Sequence, residues 1–228
     1  MAFRKKADLI SAHQPDVLII PECEHPEKLI FTTDHFKPTS TLWFGKNRNK
    51  GLAIFSFGNL KLKLIKDHNE DFKMIIPIRV TGSKTPFNLF AIWAYNPDDK
   101  DGVYVTQVWK AVNHYKHLIK NIPAILIGDF NSNTIWDKKN RIDTHSSLVN
   151  ELKKMGVESA YHVHHKQEHG KEEHPTFYLY KHADKPYHLD YCFASKKFMK
   201  KLTHVEVGSH QEWQKHSDHS PLIITFNG

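Results

Sequence analysis

Five polar side chains stand at the ends of apolar runs in this 228-residue chain. Glu22 closes "DVLIIPE" (16–22), Asp129 and Asn131 end "AILIGDFN" (124–131), and Asp218 and His219 precede "PLIITF" (221–226). A hard divalent cation such as Mg²⁺ takes oxygen ligands, keeps several waters and needs only one or two protein carboxylates. Glu22 and Asp218 suit that task. Phosphodiester cleavage further requires an oriented water, charge stabilisation on the non-bridging oxygens and help for the leaving group. Asp129, Asn131 and His219 offer acid–base and hydrogen-bonding groups for it. A further carboxylate, Asp190, lies with His188 in "KPYHLDYCFAS" (185–195), an otherwise apolar run. A carboxylate there loses hydration and is tolerated mainly when something satisfies it. Each residue alone has an ordinary explanation, since Asp and Asn start turns readily. Together, strands that release such groups at their ends would converge them at one rim of a sheet, where open α/β architectures place their sites.

The elements needed to position them are legible from periodicity. "FRKKADLISA" spaces Phe3, Ala7 and Ile10 as an amphipathic helix, and "DVLIIPE" reads as a buried strand. "LAIFSF" (52–57), "LKLKLI" (60–65), "FKMIIPIRV" (72–80) and "FNLFAIWAY" (87–95) are four more predicted strands. "TQVWKAVNHYKHLIK" places Val108, Trp109, Val112, Tyr115 and Ile119 on one helical face. After the strand in "AILIGDFN", "DTHSSLVNELKKMG" offers a capping residue, a stripe of Leu148, Leu152 and Met155, and a closing Gly156. "TFYLY" (176–180), "HLDYCFAS" (188–195) and "PLIITF" are the last predicted strands. No internal repeat or linker interrupts the chain, so residues 1–228 form one predicted α/β domain.

Composition bounds the setting. A mean hydropathy of −0.55 and 39% hydrophobic residues indicate a soluble globular protein, with no window approaching a membrane span and no secretory signal. Cys23 and Cys192 sit in apolar runs and read as buried free thiols in a reducing compartment, which makes the expected location cytoplasmic. A net charge of +7 is compatible with a polyanionic partner such as nucleic acid. The densest basic stretch, "GKNRNKG" (45–51), reads either as a solvated hairpin turn or as a loop that meets phosphates. The histidine-rich "YHVHHKQEHGKEEH" (161–174) lacks a cysteine pair and a helical HExxH pattern, and is predicted to be a mobile, solvated loop rather than a zinc site.

Four motifs in order, "DVLIIPE", "GDFNSN", "HLDYCFAS" and "SDHSPL", make the chain resemble the endonuclease/exonuclease/phosphatase superfamily over nearly its whole length. The resemblance implies a four-layer αββα sandwich, two facing mixed β-sheets flanked by helices, with the site at one end. It implies that Glu22 is a metal ligand for Mg²⁺ (or Mn²⁺) and that Asp218 is a second carboxylate near the metal. Asp129 corresponds to the acid or base beside the attacking water or leaving oxygen, and Asn131 to a phosphate-orienting amide. His219 matches the histidine that contacts the scissile phosphate or activates water. Asp190 matches the carboxylate that holds that histidine by one ring nitrogen. His188 stands where many relatives have arginine, and reads either as a phosphate contact or as a plain strand histidine.

The chain departs from the family pattern in three places. Pro21 replaces the Gln that commonly precedes the metal-binding Glu. Trp93, in "IWAYNP", falls near a phosphate-contacting Tyr of nuclease relatives, which leaves Trp93, Tyr95 or neither in that role, with Asn96 a candidate polar contact. "MAFRKKADLI" matches the start of the family's first helix, so the usual first strand, with its site Asn, is expected upstream of Met1. Without that strand, exposed sheet edges could recruit another chain. The leading expectation is a Mg²⁺-dependent phosphodiesterase acting on nucleic acid. The alternatives are a phosphatase of a small phosphorylated molecule and a non-catalytic nucleic-acid- or protein-binding module.

Overall fold

Alternation along the central strands sorts the apolar side chains into three separate cores, and these cores fix the order of the layers. A computed structural model describes residues 3–31, 36–95 and 104–228 of the chain. One sheet, of order β1-β3-β2, comprises β1 (Val17–Cys23), β2 (Ser40–Asn47) and β3 (Lys50–Ser56), all antiparallel. The larger sheet has the order β4-β5-β6-β7-β11-β8. Its members are β4 (Lys61–Leu64), β5 (Ile75–Thr81), β6 (Phe87–Trp93), β7 (Ala124–Asp129), β8 (Val157–Ser159) and β11 (Asp190–Ser195). This sheet is mixed, because β6 and β7 run parallel while its other pairs are antiparallel. Two short ribbons complete the strands: β9 (Phe177–Tyr178) with β10 (Pro186–Tyr187), and β12 (Leu202–Val207) with β13 (Leu222–Phe226).

Successive residues of a strand face opposite sides. Leu52 and Ile54 of β3 therefore meet Leu89, Ala91, Ile125 and Cys192 of the large sheet, which forms the core between the sheets. Ala53 and Phe55 of the same strand pack outward on Phe3, on Ala7 and Ile10 of helix α1 (Ala7–Ser11), and near Trp213 of α7 (His210–Trp213). The other face of the large sheet, through Phe90, Ile92, Leu126 and Phe193, packs on α2 (Tyr104–His114), α3 (Lys116–Lys120) and α4 (His145–Lys154). The result is the α/β sandwich, helix on sheet on sheet on helix. Two short helices, α5 (Ala160–His165) and α6 (Lys196–Met199), lie at the edge of the large sheet and contact β11.

Most predicted elements are present, and the differences have local causes. "TFYLY" holds strand geometry only at Phe177 and Tyr178, because Tyr180 and then Lys181 take left-handed φ values of 55° and 62° that end the extended run. The single helix predicted from 106 to 120 breaks at Tyr115, which ends α2 and caps α3. The 161–174 segment is not the solvated loop expected from its polarity. It begins inside α5 and buries His162, whose ring stacks on His169 and bonds Glu172. Cys23 and Cys192 are buried free thiols as expected. No helix among the described residues is long and apolar enough to cross a membrane.

Strands β1 and β13 each pair on one side only among the described residues, with β3 and β12 respectively. Both line one cavity of about 890 Å³, whose apolar floor includes Leu89, Ile125, Ile127 and Cys192.

Gly128 sets the path of β7 just before Asp129. Its φ is 137°, and a Cβ there would lie 2.0 Å from the Ile92 carbonyl oxygen on the parallel neighbour β6. A side chain thus meets fixed backbone as well as an unfavourable dihedral. Gly128→Ala is expected to cost more than Gly156→Ala, whose φ of 72° carries only the roughly 1–2 kcal/mol left-handed penalty, since nothing lies within 4 Å of its Cβ. Urea unfolding of the two variants checks the order.

Candidate active site

The two buried-strand acids meet because of register. Asp129 ends β7 and Asp190 starts β11, and the two are direct antiparallel partners. Counting by twos from Ile125 and Ile127, and back from Ala194 and Cys192, puts both carboxylates on the side that faces the second sheet. Trp93 lies opposite Asp129 on the parallel side. His219, just before β13, forms an isolated bridge with Phe177, and its Nδ1 lies 2.8 Å from Asp190 Oδ2. Thr176 secures the base of this arrangement. Its hydroxyl accepts from the Leu189 and Asp190 N–H groups, and its carbonyl accepts from Ser220 N–H. The acid in the apolar run therefore has its partner, and that partner is the histidine of "SDHSPL".

Electrostatics sets the protonation of the group. Burial, and then the neighbouring Asp190 carboxylate, raise the Asp129 pKa to about 7, against the opposing influence of His219 and of the Asn131 N–H. That N–H donates to Asp129 Oδ1 at 2.8 Å, and Asn131 holds a φ of 47°, a region Asn tolerates well. Burial on its own would lower His219, but its contact with Asp190 and the charges of Asp129 and Asp218 raise it to about 9. At neutral pH the imidazole is thus a cation clamped between acids, while Asp129 sits near its midpoint.

Glu22 and Asp218 line the same cavity mouth as Asp129, Asp190 and His219. Glu22 has a φ of 59°, and its half-exposed carboxylate pairs with Lys50 Nζ at 2.8 Å. Lys50 in turn lies 5.4 Å from the centroid of the Trp93 ring, which stacks on Tyr95. Periodicity did not single out Lys6. It donates to Ser217 Oγ at 3.2 Å, and burial lowers its pKa against the pull of Asp218, Cys23, Glu22 and Glu24. Of the basic stretch 45–51, Lys50 faces the site and Arg48 pairs with Glu27.

Of the predicted residues, His188 and Trp93 stand apart from this mouth, and Asn131 also falls outside the cavity lining. His188 is buried, with its Nδ1 2.8 Å from the His174 carbonyl and its ring against Tyr161 and Tyr191, away from the cavity lining. Trp93 is buried and reaches the site through Lys50 rather than through the cavity wall. Asn96 lies outside the described residues.

No family model matches the chain, and no curated protein matches it in sequence. Solved structures do match in fold. An AP endonuclease from Archaeoglobus fulgidus superposes with a TM-score of 0.68 at 17% identity, over 97% of this chain and 93% of that one. The 3′ phosphatase NExo from Neisseria, solved as a single-substitution variant bound to a product DNA hairpin, gives 0.64 at 15%, over 100% and 96%. The endonuclease domain of TRAS1, a telomere-specific non-LTR retrotransposon, gives 0.64 at 15%, over 98% and 91%. The chain has the fold of the endonuclease/exonuclease/phosphatase superfamily.

Proposed function

We propose that the chain hydrolyses phosphodiester bonds of nucleic acid with a divalent cation held by Glu22 and Asp218. The observation that carries this reading is the juxtaposition of Asp129, Asp190 and His219 at one cavity mouth, with His219 2.8 Å from Asp190. The names of the structural neighbours, two endonucleases and a DNA 3′ phosphatase, agree with it, as does the net charge of +7. The oxygen-only donor pair of Glu22 and Asp218 suits Mg²⁺ or Mn²⁺. When bound, such a cation supplies Lewis acidity toward phosphate oxygens and lowers the pKa of coordinated water.

The chain's own residues do the rest. Asp190 holds His219 through Nδ1, leaving Nε2–H to donate to a non-bridging phosphate oxygen. Asp129, ionised above its pKa, accepts the proton of the attacking water. The Asn131 amide orients the phosphate from the same loop. Lys50, paired with Glu22, and Lys6, beside Asp218, offset the acidic charge of the mouth and so reduce its repulsion of a phosphodiester.

The cavity between β1 and β13 is read as the seat of one further strand, supplied by residues that precede Phe3. The Phe3 N–H donates to Glu24 at 2.7 Å, so the chain enters α1 from the end of β1 nearest the site. A strand lying parallel to β1 and leading into α1 would make a strand–helix–strand crossover, the usual connection between parallel neighbours. Restoring the in-frame residues encoded upstream is expected to raise both the melting temperature and the turnover. An upstream in-frame stop, or an extension that changes neither quantity, overturns this strand.

The pH profile follows from the two displaced pKa values. The kcat/KM should rise as Asp129 deprotonates near about 7 and fall as His219 deprotonates near about 9. Asp190→Asn removes the main support of the imidazolium and should move the alkaline limb downward. Asp129→Asn should lose roughly 10²–10⁴ in kcat. A carboxyl whose folded pKa exceeds its unfolded one destabilises the fold increasingly as pH rises between the two. Asp129→Asn should therefore melt above the parent, and by more at pH 8 than at pH 5. Loss of activity with a lowered melting point would remove Asp129 from its role.

A substrate panel tests the reaction class: abasic duplex, single-stranded DNA, RNA, a small phosphodiester and a phosphomonoester, each with Mg²⁺ and with EDTA. Cleavage of a nucleic-acid substrate in Mg²⁺ alone is expected, lost in Asp218→Ala and His219→Ala with binding retained. Equal cleavage with EDTA ends the cation-dependent mechanism. Binding without cleavage in the parent, unchanged in both variants, selects the binding module.

A further inference from the structure

Behind the loop that carries Asn131 lies a second cluster of ligating side chains that the proposed hydrolysis does not use. Among the described residues, His162, His169 and Glu172 bring their donor atoms within 4.8 Å of one another. Each is oriented by a partner. Ser159 Oγ lies 2.7 Å from His162 Nδ1, which leaves the opposite nitrogen, Nε2, toward Glu172 at 3.0 Å. His169 Nδ1 lies 3.3 Å from His145 Nε2, and His145 is itself fixed at 2.9 Å by Ser132 Oγ. Glu172 accepts from Gly170 N–H at 2.9 Å and from Asn133 Nδ2 at 3.1 Å. Hydrogen bonds that fix the ring and the free nitrogen of a ligating histidine are the usual surroundings of a bound metal. The neighbouring His188, whose ring lies 6.2 Å from that of His162, is one of three histidines, with His68 and His165, whose buried Nε2 has no hydrogen-bond partner among the described residues.

We propose that His162, His169 and Glu172 hold a Zn²⁺ ion, with water as the fourth donor, that clamps the 166–174 segment against the loop bearing Asn131. Two imidazoles and a carboxylate are a zinc donor set, whereas Mg²⁺ prefers oxygen alone. The side chains of His162 and Glu172, 7% and 4% exposed, shield two of the three donors from solvent. In tetrahedral zinc the donors stand roughly 3.3 Å apart at zinc–nitrogen distances of about 2.0–2.1 Å. The His162 and His169 rings are stacked, so a zinc held between them would require the rings to tilt until their in-plane lone pairs converge. The clamp reaches the active loop through Asn133, which also donates to the His188 carbonyl and the Tyr191 hydroxyl. Tyr191 adjoins Asp190.

The test uses the full chain, stripped of metal and supplied with Zn²⁺ in saturating Mg²⁺, so that Glu22 and Asp218 do not compete. One tightly retained zinc per chain is expected by elemental mass spectrometry. A higher melting temperature and slower tryptic cleavage after Lys171 should accompany it. His169→Ala, on a partly exposed loop, should weaken retention roughly 100-fold or more and abolish both effects. Asp218→Ala and His164→Ala should leave all three readouts unchanged. As a second measurement, Co²⁺ in the parent should show the visible bands of tetrahedral coordination, absent in Glu172→Gln. Substoichiometric zinc in the parent, equal retention in His169→Ala, or loss of zinc in Asp218→Ala would each overturn the site.

Discussion

The constraint on which this end of the sandwich depends is that two acids on neighbouring strands, Asp129 buried and Asp190 partly buried, stand beside each other. Asp129 and Asp190 are register partners, so no rotamer change moves one far from the other. Burial and mutual repulsion together disfavour two carboxylates there. The offset comes from His219, which Asp190 holds as an imidazolium, and from the Asn131 N–H on Asp129. Asp190 pairs with the imidazole, and Asp129 is left near its midpoint. One sheet register thus sets two carboxylates side by side with a single imidazole between them.

Much of this was legible in the sequence because it rests on period-two alternation. The apolar runs located β1, β6, β7, β11 and β13, and the polar residues beside β1, β7, β11 and β13 meet at the same end of the sandwich. The partner of Asp190 was legible only through the ordered motifs, since nothing local to "HLDYCFAS" points to a residue twenty-nine positions away. Strand β12 was not legible: "LTHVEV" carries Thr, His and Glu on its exposed positions and has a register shift near Leu202, which dilutes the alternation. Strand β2 was hidden in the same way by "FGKN" at its end, although Lys50, just across the turn, proved to face the site.

The histidine-rich segment failed for a different reason. Its ligating residues follow neither helical nor strand spacing, because His162 lies in a helix while His169 and Glu172 return on the loop that follows. Convergence of this kind is a property of the turn at Lys166, which takes left-handed geometry, and of Ser132 and Asn133 some thirty residues upstream. Composition alone favoured solvent for so polar a stretch. Burial instead followed from mutual satisfaction, since stacked imidazoles, two serines, an asparagine and a carboxylate leave few polar atoms needing water.

The two halves of the active mouth differ in how firmly they are held. Asp129 and Asp190 sit on strands joined by a continuous ladder, and Gly128 locks the last turn of that ladder against Ile92. Glu22 and Asp218 belong to β1 and to the approach to β13, strands with no ladder between them among the described residues. Their spacing is set by side-chain packing across an open cavity and by Lys6 and Lys50, which neutralise them. The half made by Asp129 and Asp190 is therefore pre-formed, whereas Glu22 and Asp218 are free to adjust. Whatever fixes the separation of β1 and β13, a strand between them or a cation across them, does folding work and site assembly in one step, because ligands brought together by folding make binding energy and folding energy the same quantity.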